Sequence, residues 1–359
     1  MSHKKSVLVA MSGGVDSSVT AALLKEQGYN LIGVTMQLGT TDETNSEGCC
    51  NISAIEDARQ VAHQLEIPFY VVNFRELFQE KVVDYFLNEY LEGKTPNPCI
   101  ACNRHVKFSA LFNKAVDLGV DFIATGHYAR IFYDPSYGRY LMKMAEDRSK
   151  DQTYVLYSLS QDKLSKILMP LGEYTKSDIR IKAKELGLSV AEKPESQEIC
   201  FITDNNYRRF IKEKAGNKIK PGPYLDTKGN VIGRHEGLPY YTVGQRKGLG
   251  LALGKPIYVI DIDPERNAII IGDNEDLMRK SLISGKNNFI LFDRLDKPME
   301  VMAKIRYKTL AAPAVISPLE DGRVKVDFQE PQRAITPGQA VVYYWEEFCL
   351  GGGIIEKAL

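Results

Sequence analysis

A chain of 359 residues, 44% apolar and 26% charged, is long enough for two or three domains and does not have the composition of a disordered or fibrous protein. Lysine plus arginine and aspartate plus glutamate both total 46; overall charge therefore gives no argument for a polyanionic partner, but residues 141–255 carry 21 basic against 14 acidic groups and residues 1–140 carry 12 against 16, which leaves a local basic face open. No apolar run approaches the length of a membrane-spanning helix, and Met1–Ser6 passes straight into an apolar strand with no secretory leader pattern, so no membrane partner and a cytoplasmic location are expected.

In chain order, Val7–Met11, Leu31–Met36, Phe69–Val72 and Phe122–Thr125 are short apolar runs that predict buried strands. Helical spacing covers Val15–Gln27 and Ser53–Leu65 between them. In the second, Ile55, Ala58, Val61, Ala62 and Leu65 share one face, and Ser53 to Glu56 predicts a capping box. Strand and helix in alternation predict an α/β fold with an open, parallel, doubly wound sheet, whose ligands lie beyond the carboxyl ends of the strands. After about residue 210 the pattern changes to turn signals (Pro221-Gly-Pro223, Lys228-Gly-Asn230, Gly248-Leu-Gly250) and then to short strands at Ile257–Asp261, Ala268–Ile271, Val301–Arg306, Val324–Phe328 and Ala340–Tyr344. The division expected is a catalytic α/β domain over 1–208, a small central β-rich domain over 209–280 and a C-terminal β barrel over 281–359. Trp345, Tyr343 and Tyr344 are expected in the barrel core rather than on a base-stacking surface.

The sharpest local signal is Ser12-Gly-Gly-Val-Asp-Ser-Ser18, between the first strand and the first helix. Two glycines allow backbone to approach an anion, serine hydroxyls add donors, and the helix N-terminus adds N–H groups and the positive end of its dipole. The lysine of a Walker A loop is missing. Asp16 would repel phosphate unless it binds Mg²⁺, which suits a nucleotide arriving with its metal. The string resembles the pyrophosphatase-type loop of adenylating ATPases, which implies that ATP is cleaved between its α and β phosphates.

Six cysteines fall at 49, 50, 99, 102, 200 and 349. Cys99 and Cys102 lie in Pro96-Asn-Pro-Cys-Ile-Ala-Cys-Asn103, and Cys200 lies in Pro194-Glu-Ser-Gln-Glu-Ile-Cys-Phe201. Both settings contain turn or polar residues, which predicts partly exposed, reactive thiols. Two such thiols brought together can pass on a persulfide sulfur and close a disulfide. Three of them (Cys99, Cys102 and Cys200) can instead hold an iron–sulfur cluster. A zinc site using His105 lacks a second cysteine pair. Cys49, Cys50 and Cys349 are expected as buried small apolar residues.

Taken together, SGGVDSS, the GCC stretch at 48–50, TPNPCIACN at 95–103, ATGHYAR at 124–130, KDQTYVLYSL at 150–159, PESQEICF at 194–201, YTVGQRKGLG at 241–250 and GGGII at 351–355 resemble the bacterial tRNA-specific 2-thiouridylases. This resemblance implies ATP-dependent 2-thiolation of the wobble uridine of tRNAs of the lysine, glutamate and glutamine type. It implies a nucleophile at Cys102 and a persulfide at Cys200, with a transient disulfide between them. It also implies ATP contacts at Ala10, Met11, Ser12, Gly13, Gly14, Val15, Asp16, Ser17, Met36 and Gly126, and contacts to the target base at Asn97, Pro98 and Cys99. tRNA contacts fall on His127, Lys150, Asp151, Gln152, Arg306, Tyr307 and Gln339. Relatives with Asp at position 99 have a carboxylate where this chain has Cys99, which keeps the cluster alternative open. A cysteine desulfurase or a sulfur-relay carrier protein is the implied sulfur source. From other classes, a small-molecule adenylating enzyme with the same loop and a noncatalytic RNA-binding protein remain as rivals.

Overall fold

The computed structural model describes residues 4–39, 52–194, 199–202, 204–252 and 254–359. Cys49, Cys50 and residues 195–198 of the Cys200 motif lie outside the described residues. The chain packs as two compact units. One comprises Met1–Val82, Cys99–Asn205 and Glu347–Cys349; the other comprises Val83–Pro98, Asn206–Glu346 and Leu350–Leu359.

The first unit is built on five parallel strands, β1 (Ser6–Ala10), β2 (Asn30–Gln37), β3 (Phe69–Asn73), β4 (Phe122–Ala124) and a further two-residue strand, Ile167–Leu168. The strand order is β3-β2-β1-β4 with Ile167–Leu168 at the far edge. Both faces of β1 are buried. Val7 and Val9 pack with the helix α1 (Val15–Glu26) and the helix α2 (Ile52–Gln64), while Leu8 and Ala10 pack with Leu111, Ala115 and Ile123. Two covered faces explain why β1 reads as a continuous apolar run rather than an alternating one. β3 corrects the expectation of a buried strand at Phe69–Val72: it lies at the sheet edge, with Tyr70 61% and Val71 40% exposed. Helix α2 buries Ala58, Val61 and Ala62 of the stripe its spacing predicts, and Leu65 just beyond it is buried too, but Ile55 is half-buried and Ala54 is buried beside it. It begins at Ile52, so Ser53 is inside the helix and not at the cap position expected for it.

A hairpin that the apolar pattern does not announce, β5 (Ala129–Asp134) with β6 (Arg139–Met144), completes the first unit. Phe348 and Cys349 pair with Lys143 and Met142 of β6, and Cys349 is buried as expected.

The second unit contains two sheets. In the central one, β8 (Gly222–Leu225), β9 (Val231–His235), β10 (Tyr258–Asp263) and β11 (Ala268–Gly272) lie in the order β10-β11-β8-β9; Ile167–Leu168 takes the label β7. The other is formed by β12 (Met278–Phe289), β13 (Met299–Lys304), β14 (Ala312–Pro318), β15 (Val324–Arg333), β16 (Ala340–Trp345) and most of β17 (Phe348–Ala358). They run β12-β15-β14-β13-β16-β17, and β12 pairs with β17, so a six-strand barrel closes and no edge is left among these strands. Its core is Leu282, Val301, Ile316, Val326, Phe328, Val341, Tyr343 and Leu350. Tyr343 and Tyr344 are fully buried. Trp345 is 44% exposed, which corrects its expected place in the core: it is the last residue of β16, where the strand leaves the barrel.

The α/β class with a β-rich middle and a C-terminal barrel is therefore the architecture found.

Candidate active site

The strand register brings the predicted nucleotide residues together. Ala10 on β1 lies opposite Val34, which places Met36 two residues further along β2. Val9 lies opposite Ala124, which places Gly126 just beyond β4. Strands β2 and β3 extend the sheet to one side of β1 and β4 to the other, so the loop after β1 sits at the point where the winding reverses, the usual ligand position of such sheets.

Gly13 has φ +71°, and a Cβ on it would stand 2.1 Å from the Ala54 carbonyl oxygen of α2, so only glycine fits. A Cβ on Gly126 would stand 2.8 Å from the Ser17 nitrogen, so β4 and the loop are in close backbone contact. Helix α1 has Gly14 as its cap residue with no side-chain cap, which leaves its first N–H groups directed out of the helix end toward an anion. Hydroxyls instead brace the loop from inside. Ser17 donates to the Gly14 carbonyl at 3.1 Å and accepts from the Ser12 N–H at 3.1 Å, and Ser18 donates to the same carbonyl at 2.9 Å.

Three residues absent from the predicted set hold this loop. Asp16 Oδ1 accepts from Lys176 Nζ at 2.6 Å and from the Tyr128 hydroxyl at 2.8 Å. Lys176 is largely buried, its side chain 11% exposed, and lies 5.8 Å from the Tyr128 ring centre. Lys193 Nζ donates to the Gly13 carbonyl at 3.0 Å and pairs with Asp57 at 2.5 Å. Lys176 is 160 residues from Asp16, so no local pattern could announce the pair. Tyr128 did fall inside the ATGHYAR stretch.

Cys99 and Cys102 lie on a short helix, Pro98–Cys102, with proline at its first position, where its missing N–H costs nothing. The geometry of this helix separates the two thiols. Cys99 is exposed and Cys102 is buried, against the expectation that both are partly exposed; Cys200 is intermediate. Phe201, next to Cys200, packs edge-on against Phe78 with ring centres 5.8 Å apart. Among the described residues no group of three histidine, cysteine, aspartate or glutamate side chains is arranged to hold a metal ion. The three thiols as placed do not form the ligand set that the iron–sulfur alternative requires, and His105 makes no zinc site with them.

Residues 5–204 match a family model described as the tRNA methyl transferase HUP domain, residues 208–273 one described as the tRNA methyl transferase PRC-barrel domain, and residues 279–355 one described as the aminomethyltransferase beta-barrel domain. The tRNA-specific 2-thiouridylase MnmA of Acetivibrio thermocellus is 57% identical over 98% of this chain and 99% of its own length. That of Carboxydothermus hydrogenoformans is 58% identical over 99% of both chains, and that of Desulforamulus reducens is 56% identical over 100% of this chain and 99% of its own. This chain belongs to the tRNA-specific 2-thiouridylase family. The words methyl transferase, which describe two of the matched domains, do not recur in the names of these full-length relatives. A solved 4-thiouridine synthetase–RNA complex with bound ATP is similar at a TM-score of 0.38 and 17% identity, over 60% of this chain and 51% of that one, too distant a likeness to carry an argument.

The candidate tRNA residues of this 2-thiouridylase-family chain have varied settings. His127 is buried, its Nδ1 2.8 Å from the Thr125 hydroxyl and its ring 5.6 Å from Phe108. Burial, and after it the charge of Lys107, holds its proton affinity well below the usual range, so the imidazole is neutral. Asp151 is buried and accepts from the Ala145 N–H at 3.0 Å and the Thr153 hydroxyl at 2.6 Å. Gln152 accepts the Tyr128 N–H at 2.9 Å and donates its own N–H back to the Tyr128 carbonyl at 2.9 Å, which fixes the tyrosine that bonds Asp16. Lys150 beside them is half-buried.

In the second unit Arg306 Nη2 donates to the Thr336 hydroxyl at 2.8 Å and the Ala334 carbonyl at 2.5 Å. Tyr307 is 37% exposed, with Lys304 Nζ 5.6 Å from its ring centre. Gln339 donates to the Thr95 carbonyl at 2.8 Å. Asn97 is half-buried and Pro98 buried.

Proposed function

We propose that this chain catalyses ATP-dependent 2-thiolation of the wobble uridine of tRNA, of the lysine, glutamate and glutamine types. The observation that carries this reading is the full-length likeness to 2-thiouridylases, which takes in the Ser12–Ser18 loop and the cysteine segments together. In this reading residues 1–208 do the chemistry, 209–280 form the central β-rich part, and the barrel over 281–359 contacts tRNA through Arg306, Tyr307 and Gln339. His127, Lys150, Asp151 and Gln152 complete the tRNA contacts. ATP is held by Ala10–Ser17, Met36 and Gly126. The Asp16 carboxylate is a hard oxygen donor that suits the accompanying Mg²⁺, which neutralises phosphate charge when bound.

The uracil carbonyl needs activation because oxide is a poor leaving group. Attack of the 2-oxygen on the α phosphorus releases pyrophosphate and converts that oxygen into part of an AMP leaving group. The base is met by Asn97, Pro98 and Cys99. The terminal sulfur of a Cys200 persulfide then attacks carbon 2, and AMP departs with the oxygen and the bonding pair. The Cys102 thiolate attacks Cys200 Sγ, and the bond from Cys200 Sγ to the transferred sulfur breaks. That sulfur keeps the electron pair and becomes the thiocarbonyl, and a Cys102–Cys200 disulfide is left. A thiol reductant reopens the disulfide, and a cysteine desulfurase or relay carrier reloads Cys200. The burial of Cys102 and the partial exposure of Cys200 support these separate roles, since only the loaded thiol must meet a protein donor. Cys102→Ser and Cys200→Ser are each expected to abolish 2-thiouridine formation with tRNA affinity retained. Normal yield from either variant, or AMP formation indifferent to added tRNA, would overturn the scheme.

A further inference from the structure

We propose that Arg104, Lys163 and Lys81, gathered around His105, form a phosphodiester-binding patch that grips the RNA backbone beside the Cys99–Cys102 helix. The proposal rests on the tRNA reading above and adds a site to it. All four residues belong to the first unit. Arg104 and His105 open the wide-turn helical segment Asn103–Ala110, which continues directly from Pro98–Cys102, so they follow the candidate nucleophile by two and three residues. Lys81 comes from a second wide-turn segment, Gln79–Asp84, and Lys163 from the short helix Gln161–Leu164.

The patch is held in place by neutral groups. Lys163 Nζ donates to the Ser109 hydroxyl at 2.7 Å, and that hydroxyl donates to the Arg104 carbonyl at 2.6 Å. Arg104 Nη2 reaches the Tyr157 hydroxyl at 3.5 Å. Among the described residues neither Arg104 nor Lys163 has a carboxylate at ion-pair distance. Lys81 has one, Glu80 at 2.6 Å, but both members are exposed and such pairs exchange readily for another anion.

Two groups register the resulting field. The proton affinity of His105 is lowered by burial and then by Arg104, Lys81 and Lys163 in turn. That of Lys163 is lowered by burial and by Arg104, with only the neighbouring Asp162 acting the other way. Positive charge crowded with only the exposed Glu80 and the neighbouring Asp162 against it is better balanced once a further anion arrives. Cations spread over three chain segments suit a run of successive phosphates better than a single carboxylate, and a wobble nucleotide brought to Cys102 carries its flanking phosphates with it.

The test is the salt dependence of tRNA affinity for the full-length protein and for the double variant Arg104→Gln/Lys163→Gln. Loss of two phosphate contacts is expected to flatten the slope of log affinity against log salt by about 1 to 2 and to weaken binding roughly tenfold at physiological salt. The charge-keeping pair Arg104→Lys/Lys163→Arg is expected to retain the wild-type slope. A wild-type slope in the neutral variant would overturn the patch. So would wild-type tRNA binding combined with impaired persulfide loading, since the occupant would then be an acidic protein surface. A second readout needs no variant: the His105 ring, followed by NMR in the wild-type protein, is expected to titrate at higher pH when an anticodon stem-loop RNA is bound, and an unmoved titration would contradict the proposal. If the wild-type protein thiolates no tRNA at all, the functional reading fails first, which separates that failure from this one.

Discussion

Gly126→Ala isolates the contact between β4 and the nucleotide loop. The added methyl would stand 2.8 Å from the Ser17 nitrogen, 2.9 Å from the Asp16 carbonyl carbon and 3.0 Å from the Asp16 Cβ, where ordinary contact begins at 3.4 Å. The nearest two of these atoms are backbone, so the side chain cannot rotate away, and the loop or β4 has to move by about 0.6 Å. Overpacking of this kind costs about 1–3 kcal/mol. A sub-ångström displacement of groups that orient reacting phosphates costs on the order of ten- to hundredfold in rate. The assay is tRNA-dependent AMP formation over a range of ATP concentrations, with Mg–ATP affinity measured by calorimetry. Gly138→Ala is the control: its added methyl meets nothing within 4 Å, its φ is +62°, and it lies in the turn of the β5–β6 hairpin, so it carries backbone strain alone and leaves ATP use unchanged. Wild-type ATP affinity and AMP formation in Gly126→Ala would refute the reasoning that this contact sets the loop.

Tyr128→Phe removes the hydroxyl that donates to Asp16 at 2.8 Å; a hydrogen bond to a charged group is worth about 1.5–3 kcal/mol, so urea unfolding is expected to shift to lower denaturant, and an unshifted midpoint would count against that bond. Lys176→Met leaves the Asp16 carboxylate without its ammonium partner and is expected to destabilise the protein more than Tyr128→Phe does, measured in the same unfolding series. His127 resists protonation in the folded chain, whereas in the unfolded chain it binds a proton below about pH 6.5. Its depressed folded value therefore contributes stability that is present above that pH and is lost as the pH falls. His127→Gln is expected to flatten the acid side of the stability profile, and an unchanged profile would contradict a buried neutral imidazole.

The parallel core was legible because both faces of β1 are covered, which turns Val7–Met11 into an unbroken apolar run. The nucleotide loop was legible because Gly13 and Gly14 sit at a strand-to-helix junction whose geometry depends on local chain order. What stayed hidden depends on distance or on context. Lys176 and Lys193 reach the loop from distant parts of the sequence, and although Lys193 directly precedes the Pro194–Phe201 stretch, nothing in that stretch ties it to the loop. The hairpin β5–β6 has only the short apolar stretches Ile131–Tyr133 and Tyr140–Met142, broken by charged residues. Cys102 looked as accessible as Cys99, because both share one proline-rich segment, yet a single helical turn exposes Cys99 and buries Cys102. Trp345 looked like core because it continues the run Val341–Tyr344, but the strand ends there. Arg306, read from the resemblance as an RNA contact, donates to Ala334 and Thr336, bonds that spacing along the chain does not reveal.

One reaction tests the central claim most directly. Protein purified without oxygen, its iron counted, is incubated anaerobically with ATP, Mg²⁺, a persulfide sulfur source and an unmodified tRNA bearing a wobble uridine, and 2-thiouridine is read by mass spectrometry. The account predicts 2-thiouridine from iron-free protein, matched by AMP and pyrophosphate and absent without ATP. Thiolation that appears only in proportion to bound iron would contradict the persulfide route, and no 2-thiouridine from any preparation would contradict the sulfurtransferase itself.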